Sequence, residues 1–334
     1  MVIREYSKRL GNISDEQLQR ALSYFDLGTF LHAEPIPFGL FGQNLFINST
    51  SGEFVLRGVP HYDWQFPTEK FFIEQLQAKT HVPVPYPYLL NPSSEIFGWP
   101  FVIMPRMPGV QLANAQIVSH LSMDERREIA QALAAMLIEI QTLTWEYSGR
   151  YDIATQTIQP MPQDYRTWIV QHIHELIAQA QSYNGHTTAS DVEWAAMILE
   201  NCKAALDIPY QPCVVLEDYK EQNTVVKRAE EGWSVSGVFD LMSAHFGDGE
   251  ADLARQVGMY LRDTPPLADE FVNEYLKKNK VPSGFFRRQQ LYMLYDSALI
   301  WEYWQRHGGG FGENRTLTLE KWACPFVSYW EKFK

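Results

Sequence analysis

The residues best suited to chemistry lie mid-chain, in Val214-Val215-Leu216-Glu217-Asp218-Tyr219-Lys220-Glu221-Gln222-Asn223. The apolar run 214–216 reads as a buried strand, so Asp218 and Asn223 fall on the loop after it. A later strand-like run ends in Val238-Phe239-Asp240, which places a second acid 17 residues beyond Asn223. Phosphoryl transfer calls for such a set. One carboxylate orients an attacking hydroxyl and accepts its proton. An amide oxygen and a second carboxylate hold Mg²⁺, which neutralises charge on the phosphates. Positioning and electrostatics supply most of the catalysis, so little else is needed. An Asp-x4-Asn string is common in loops, and its weight here comes from the elements that would position it.

Those elements read as follows. Residues 14–25 form a helix with Ser14 as cap and Gln17 completing a capping box. The runs 45–47 and 54–57, joined by a polar turn with Gly52, form a hairpin. Residues 66–79 form a helix with Phe71, Phe72, Ile73 and Leu76 on its apolar face. The prolines of VPVPYPYLL exclude a helix and give an extended edge segment. Residues 101–104 read as a buried strand that runs into the connector PRMPG, and the boundary between two lobes is placed at 105–111. Beyond it the pattern turns helical: 122–145, with the capping box Ser122/Glu125 and an apolar stripe at Ile129, Leu133, Leu137 and Ile140; then 163–183 and 188–206. A β block interrupts at 213–240, and helices resume to the end. A β-rich first third with a helical remainder and an embedded hairpin is an α+β, two-lobed pattern.

The chain has 334 residues, 46% hydrophobic and 14% aromatic, enough for a large core and globular rather than disordered. Its net charge of −12 argues against nucleic-acid binding, which needs a basic stripe, and would suit a cationic ligand. Three scattered cysteines without a CxxC pair fit a reduced, cytoplasmic setting. No apolar run reaches the ~18 residues of a membrane span. The start, MVIREYSKRLGN, lacks the apolar core of a signal peptide, so none is expected. No GxxxxGK[ST] string is present, which excludes a P-loop nucleotide site.

The central segment resembles the catalytic loop of the aminoglycoside phosphotransferase and choline-kinase superfamily, distant relatives of protein kinases. The family pattern is His-Gly-Asp-x-x-x-x-Asn, followed downstream by an Ile-Asp-Trp type metal motif. Here the corresponding strings are Leu216-Glu217-Asp218 through Asn223, and Val238-Phe239-Asp240. The stretch 243–254, with Asp248 and Asp252-Leu253-Ala254, is similar to the family's Gly-Asp-Pro-x-x-Asp-Leu-Ala. There Asp252 would anchor the catalytic loop or cap the next helix. Upstream, Phe54-Val55-Leu56-Arg57 resembles the strand bearing the phosphate-binding cation, and Glu69 the helix acid that pairs with it. Residues 39–44, with Gly39 and Gly42, fall where the nucleotide-covering loop lies, although both glycines equally suit simple turns. Residues 104–109, with Met104 and Arg106, resemble the hinge that meets the adenine through backbone groups. The likeness runs from about residue 35 to 260.

The resemblance implies a protein-kinase-like fold, with a nucleotide-binding lobe over 1–108 and a catalytic and substrate-binding lobe over 109–334. It implies ATP or GTP with Mg²⁺ as cofactors. It implies a small polar hydroxyl acceptor: aminoglycoside-like, choline-like, a sugar or an amino alcohol. Asp218 would be the base, Lys220 a contact to the γ-phosphate, Asn223 and Asp240 the metal ligands, and Arg57 with Glu69 the α/β-phosphate contact. No nucleic-acid or membrane partner is expected, and the assembly would be a monomer or homodimer. Leu216 and Glu217 stand where relatives have His and Gly. This departure motivates an alternative, a non-catalytic kinase-like binding protein. A peptide kinase is disfavoured by the short first lobe and the lack of Ala-Pro-Glu after Asp240. His172 and His174 lack metal-ligand spacing and read as ordinary histidines. The run 307–312 (His-Gly-Gly-Gly-Phe-Gly) reads as a helix end and turn. Tyr292, Tyr295, Trp301, Tyr303 and Trp304 read mainly as core.

Overall fold

The computed structural model describes residues 3–36, 42–183, 186–230, 232–308 and 316–333. In chain order it begins with β1 (Ile3–Ser7), β2 (Gly11–Ser14), α1 (Asp15–Tyr24), β3 (Phe30–Pro35), β4 (Asn44–Ser49), β5 (Gly52–Gly58), α2 (Gln65–Lys79), β6 (Leu89–Asn91), β7 (Phe101–Pro105), β8 (Val110–Gln111), α3 (Ala115–His120) and α4 (Met123–Ile140). There follow β9 (Gly149–Asp152), β10 (Thr157–Pro160), α5 (Tyr165–Tyr183), α6 (Ala189–Leu206), β11 (Cys213–Val215), β12 (Thr224–Ala229), β13 (Gly232–Val238) and β14 (His245–Gly247). Four helices finish the chain: α7 (Asp252–Asp263), α8 (Pro265–Lys278), α9 (Phe285–Arg306) and α10 (Leu319–Ser328). The α+β expectation holds, strand-rich at first and helical later. Two compact units are present: residues 1–143, 151–158 and 221–244 form one, and 144–150, 159–220 and 245–334 the other.

In the first unit, β3 to β7 form a sheet in the order β3-β4-β5-β7-β6. Strand alternation decides which side each residue serves. Leu45, Ile47, Leu56, Phe101 and Ile103 share one core with Leu18, Ala21 and Leu22 of α1. Each such large aliphatic side chain contributes roughly 1.5–3 kcal/mol by burial. Arg57 follows Leu56 and therefore projects from the opposite face. The predicted capping box of α1 is present, with Gln17 N–H donating to Ser14 Oγ and Ser14 N–H to Gln17 Oε1. The Ser122/Glu125 box opens α4, and Ile129, Leu133, Leu137 and Ile140 are all buried. That helix ends at Ile140, short of the expected 145. Phe71 of α2 is only half-buried and stacks on Tyr151.

The same unit contains the hairpin β12–β13, with β8 added along β12. Gly109 makes this addition possible. Its φ is +127°, and a Cβ there would meet Val226 O at 2.4 Å. A side chain would have to displace backbone, so this connector glycine is required for close approach. The strands β1, β2, β3 and β8 of this unit were absent from the sequence expectation.

In the second unit, β11 pairs antiparallel with β14, matching Val215 to His245. Helices α5, α6 and α7 each pack against α9. Two buried ion pairs organise this core, Arg166 with Asp248 at 2.6 Å and Arg288 with Glu250 at 2.7 Å. Tyr292, Tyr295, Trp301 and Trp304 are buried, as expected of core aromatics. At the end of α9, His307 N–H donates to the carbonyls of Tyr303 and Trp304, and Gly308 takes a φ of +94°. That is a helix C-terminal turn; residues 309–312 lie outside the described set. Among the described residues, no helix is long and apolar enough to cross a membrane.

Candidate active site

The first unit assembles two of the sequence-predicted acids, Glu69 and Asp240, around a third predicted residue, the buried Arg57. Arg57 leaves β5 on the face opposite the α1 core, and its side chain is 7% exposed. Its Nη1 donates to both oxygens of Glu69, at 3.0 and 2.7 Å. Its Nη2 donates to Asp240 Oδ1 at 2.8 Å. Burial alone would lower the Arg57 pKa; the carboxylates of Glu69 and Asp240 outweigh it and hold the guanidinium above its ordinary value. Glu69 is itself tied down, accepting from Tyr88 O–H at 2.6 Å and from the N–H of Leu241 at 3.0 Å. Burial, then the neighbouring Glu69 charge, pushes the Tyr88 hydroxyl well above its usual range, so it remains a donor.

Asp240 lies two residues beyond the end of β13 and has φ of +69°, a left-handed conformation that costs a non-glycine residue roughly 1–2 kcal/mol. Its side chain is 28% exposed, the most open member of the cluster. Asn223 closes a 3-10 turn over Glu221–Asn223 ahead of β12. The N–H of Phe239, next to Asp240, donates to the carbonyl of Asn223 at 3.1 Å. The backbone thus joins the two predicted metal ligands. An amide oxygen and one carboxylate are the sparse oxygen set that suits Mg²⁺, which completes its octahedron from water and phosphate. Among the described residues, no three His, Cys, Asp or Glu side chains gather as a metal centre of another kind.

The other positions that the resemblance assigns to the nucleotide are less telling. Met104 is buried on β7 and pairs with Val55 of β5. The pairing of β6 with β7 runs only from Asn91↔Phe101 to Leu89↔Ile103, so it stops one residue before Met104. Arg106 lays its guanidinium 3.9 Å from the centre of the Phe46 ring and pairs with Glu53 at 3.5 Å. Gly42 has φ of +59°, and its carbonyl accepts from Ser7 Oγ at 2.5 Å. Gly39 lies outside the described residues.

The second unit positions Asp218 and Lys220. The loop after β11 is anchored from α7: Asp252 Oδ2 accepts the N–H of Leu216 at 2.7 Å and Oδ1 that of Glu217 at 2.8 Å. Burial pushes the Asp252 carboxyl up to about 7, with the two N–H bonds opposing. Of the two roles open to Asp252, anchoring the loop is the one seen. Leu216 is buried and held through its backbone. Glu217 has φ of +67°, the conformation glycine would adopt freely, and accepts from Tyr295 O–H at 2.9 Å. Asp218 Oδ2 accepts from Lys220 Nζ at 2.6 Å, and Asp218 Oδ1 lies 3.3 Å from Arg255 Nε. Arg255 also pairs with Asp296 of α9 at 2.9 Å. A cavity of about 10 Å³, near the space one water needs, is lined by Glu217, Asp252, Arg255, Tyr295 and Asp296 among others.

Sequence reasoning missed Arg255, Asp296 and Tyr88. For Arg255 a signal existed: it lies three residues after Asp252, hence on the same helical face. Asp296 and Tyr88 carried no local signal.

Comparisons with known proteins bear on this geometry. A family model described as "Phosphotransferase enzyme family" matches residues 32–289, well over half of the chain. No curated protein matches the sequence. Among solved structures, a thermostable aminoglycoside phosphotransferase APH(4)-Ia in ternary complex with ADP and hygromycin B aligns with a TM-score of 0.65 at 16% identity, covering 95% of this chain and 98% of that one. A GDP complex of aminoglycoside 2'-phosphotransferase-IIIa gives 0.63 at 13% identity, covering 98% and 99%. Choline kinase LicA from Streptococcus pneumoniae gives 0.58 at 14% identity, covering 94% and 99%. At such identities the structural likeness speaks to the fold, which is kinase-like.

Proposed function

Because the chain belongs to the phosphotransferase enzyme family, we propose that it moves the γ-phosphoryl group of ATP or GTP to a hydroxyl of a small polar molecule, with an amino sugar or amino alcohol as the favoured acceptor. Small-molecule phosphotransfer with a nucleoside triphosphate and Mg²⁺ is the family's chemistry. The relatives bound to hygromycin B or named for choline support an aminated acceptor, as does the acidic balance of −12. The observation that carries the reading is the Arg57–Glu69–Asp240 cluster. A permanently charged guanidinium is fixed beside the most open carboxylate of its surroundings, and that carboxylate is linked to Asn223.

In this reading, residues 1–108 form the nucleotide-binding lobe and 109–334 the catalytic and acceptor-binding lobe. Arg57, held by Glu69, contacts the α/β-phosphates. The backbone of 104–106 meets the base, and Gly39 and Gly42 belong to the covering loop. Asn223 and Asp240 hold Mg²⁺, which when bound screens the phosphate charge. Asp218 orients the acceptor hydroxyl and takes its proton as the new O–P bond forms. The bond from the γ-phosphorus to its bridging oxygen breaks, and the nucleoside diphosphate leaves. Lys220 accompanies the transferring group. The loop is anchored through Asp252, as the family pattern implies, and Leu216 packs as a buried residue where relatives have a His, which favours an enzyme over a non-catalytic binder.

Thermal-shift measurements with ATP and GTP, with and without Mg²⁺, test the nucleotide half. Stabilisation that requires the metal is expected. No response to either nucleotide would reject the reading.

A further inference from the structure

Helix α7 reaches the Asp218 loop twice. Its first residue, Asp252, holds the backbone ahead of Asp218. One turn on, Arg255 reaches the Asp218 side chain itself. The two cations beside Asp218 differ in mounting. Lys220 sits on the loop, two residues away, and meets Oδ2. Arg255 stands on a helix, 18% exposed, and the Nε that lies 3.3 Å from Asp218 Oδ1 also lies 2.9 Å from Oδ1 of Asp296, itself 9% exposed. Burial lowers the Arg255 pKa, but Asp296 first and Asp218 next more than offset it. A guanidinium so placed stays charged and cannot take up a proton from its partner.

We propose that Arg255, braced by Asp296, is a positioning residue that keeps the Asp218 carboxylate anionic and in register while Lys220 turns to the transferring phosphoryl group. This rests on the reading of Asp218 as base. If Lys220 were the sole counter-charge, its departure would leave Asp218 among Glu217, Asp252 and Asp296. Like charges at that range favour the protonated acid, which accepts no proton. With the Arg255 charge 3.3 Å from Oδ1, Oδ2 is the oxygen released by Lys220 and open to the hydroxyl. Among the described residues of the second unit, charged and titratable groups beside Asp218 or its partners include Glu217 and Lys220 from its own loop, Asp252 and Arg255 from α7, and Tyr295 and Asp296 from α9. Arg262 acts on Asp296 from the end of α7.

The test is a ¹³C NMR titration of the carboxyl-labelled full chain, with the Asp218 resonance assigned by its loss in Asp218→Asn. Arg255→Gln is expected to raise the Asp218 midpoint by about one unit or more. Arg255→Lys should restore most of that shift, and Asp296→Asn should give a smaller rise. Mg·ATP hydrolysis, with water as acceptor, should show its acid limb displaced upward by the same amount, with kcat reduced and the KM for ATP unchanged. An unmoved midpoint in Arg255→Gln overturns the proposal, even if the rate falls. If the single variant fails to fold, Arg255→Gln with Asp296→Asn keeps a neutral pair and gives the same readout. Full activity in Asp218→Asn would sink the base assignment separately, while the NMR midpoint still decides whether Arg255 controls Asp218.

Discussion

The Arg57 cluster and the Asp218 cluster contain the same kinds of groups, yet they are built for different ends. The Arg57–Glu69 pair is buried, at 7% exposure for the arginine and 1% for Glu69, and every oxygen of Glu69 has a donor. Around Asp218 the carboxylate is 33% exposed and Lys220 25%. A sealed pair holds two strand ends and a helix in fixed relation. An open one can exchange partners when a substrate arrives. Changes in the first region should therefore register mainly as lost stability, and changes in the second mainly as lost rate.

The largest stability effect is expected for Glu69→Ala. It strands the buried Arg57 charge and removes the acceptor of Tyr88 O–H and Leu241 N–H, so chemical denaturation should show a loss of about 3–5 kcal/mol. A loss under about 1 kcal/mol would break the contrast. Next comes Asp252→Ala, which leaves the N–H groups of Leu216 and Glu217 without their carboxylate. About 1–3 kcal/mol is expected, because Leu216 is buried and water cannot easily replace the lost acceptor. Asp252 belongs to the second unit but acts as a scaffold, so it sharpens the comparison: burial, not proximity to Asp218, decides the cost. Asp240→Asn should leave the fold intact, since Asp240 is the open member of its cluster. Its effect should appear as nucleotide affinity that no longer responds to Mg²⁺, read by calorimetric titration. Lys220→Ala should change stability by less than about 0.5 kcal/mol, since its ion pair is partly exposed. Its cost should fall on kcat, with equal stability and equal kcat loss for Lys220 and Glu69 variants contradicting the distinction.

The two regions also differ in how much of them could be read in the sequence. Asn223 and Asp240 were marked by strand ends and spacing, Arg57 and Glu69 by the family resemblance, and the structure brings Arg57, Glu69 and Asp240 into direct contact. Helices with capping boxes at Ser14 and Ser122 were equally legible, because the cap and its partner are three residues apart. The strands β1, β2 and β3 were not. Their burial patterns are mostly exposed or half-exposed, so they lack a clean apolar alternation. Asp296 was illegible for another reason. It acquires meaning only where α9 packs against α7, 41 residues from Arg255, and no local pattern encodes that meeting.

The central claim is that Asp218 takes the proton of an acceptor hydroxyl in a metal-dependent phosphoryl transfer. The most direct measurement is nucleoside diphosphate release from Mg·ATP and Mg·GTP across a panel of hydroxylated amines, comparing the wild-type chain with Asp218→Asn. The account predicts acceptor-stimulated release by the wild type and a drop of about 10²–10⁴-fold in the variant, with Mg·nucleotide binding retained. Equal acceptor-stimulated release by the two proteins would contradict it.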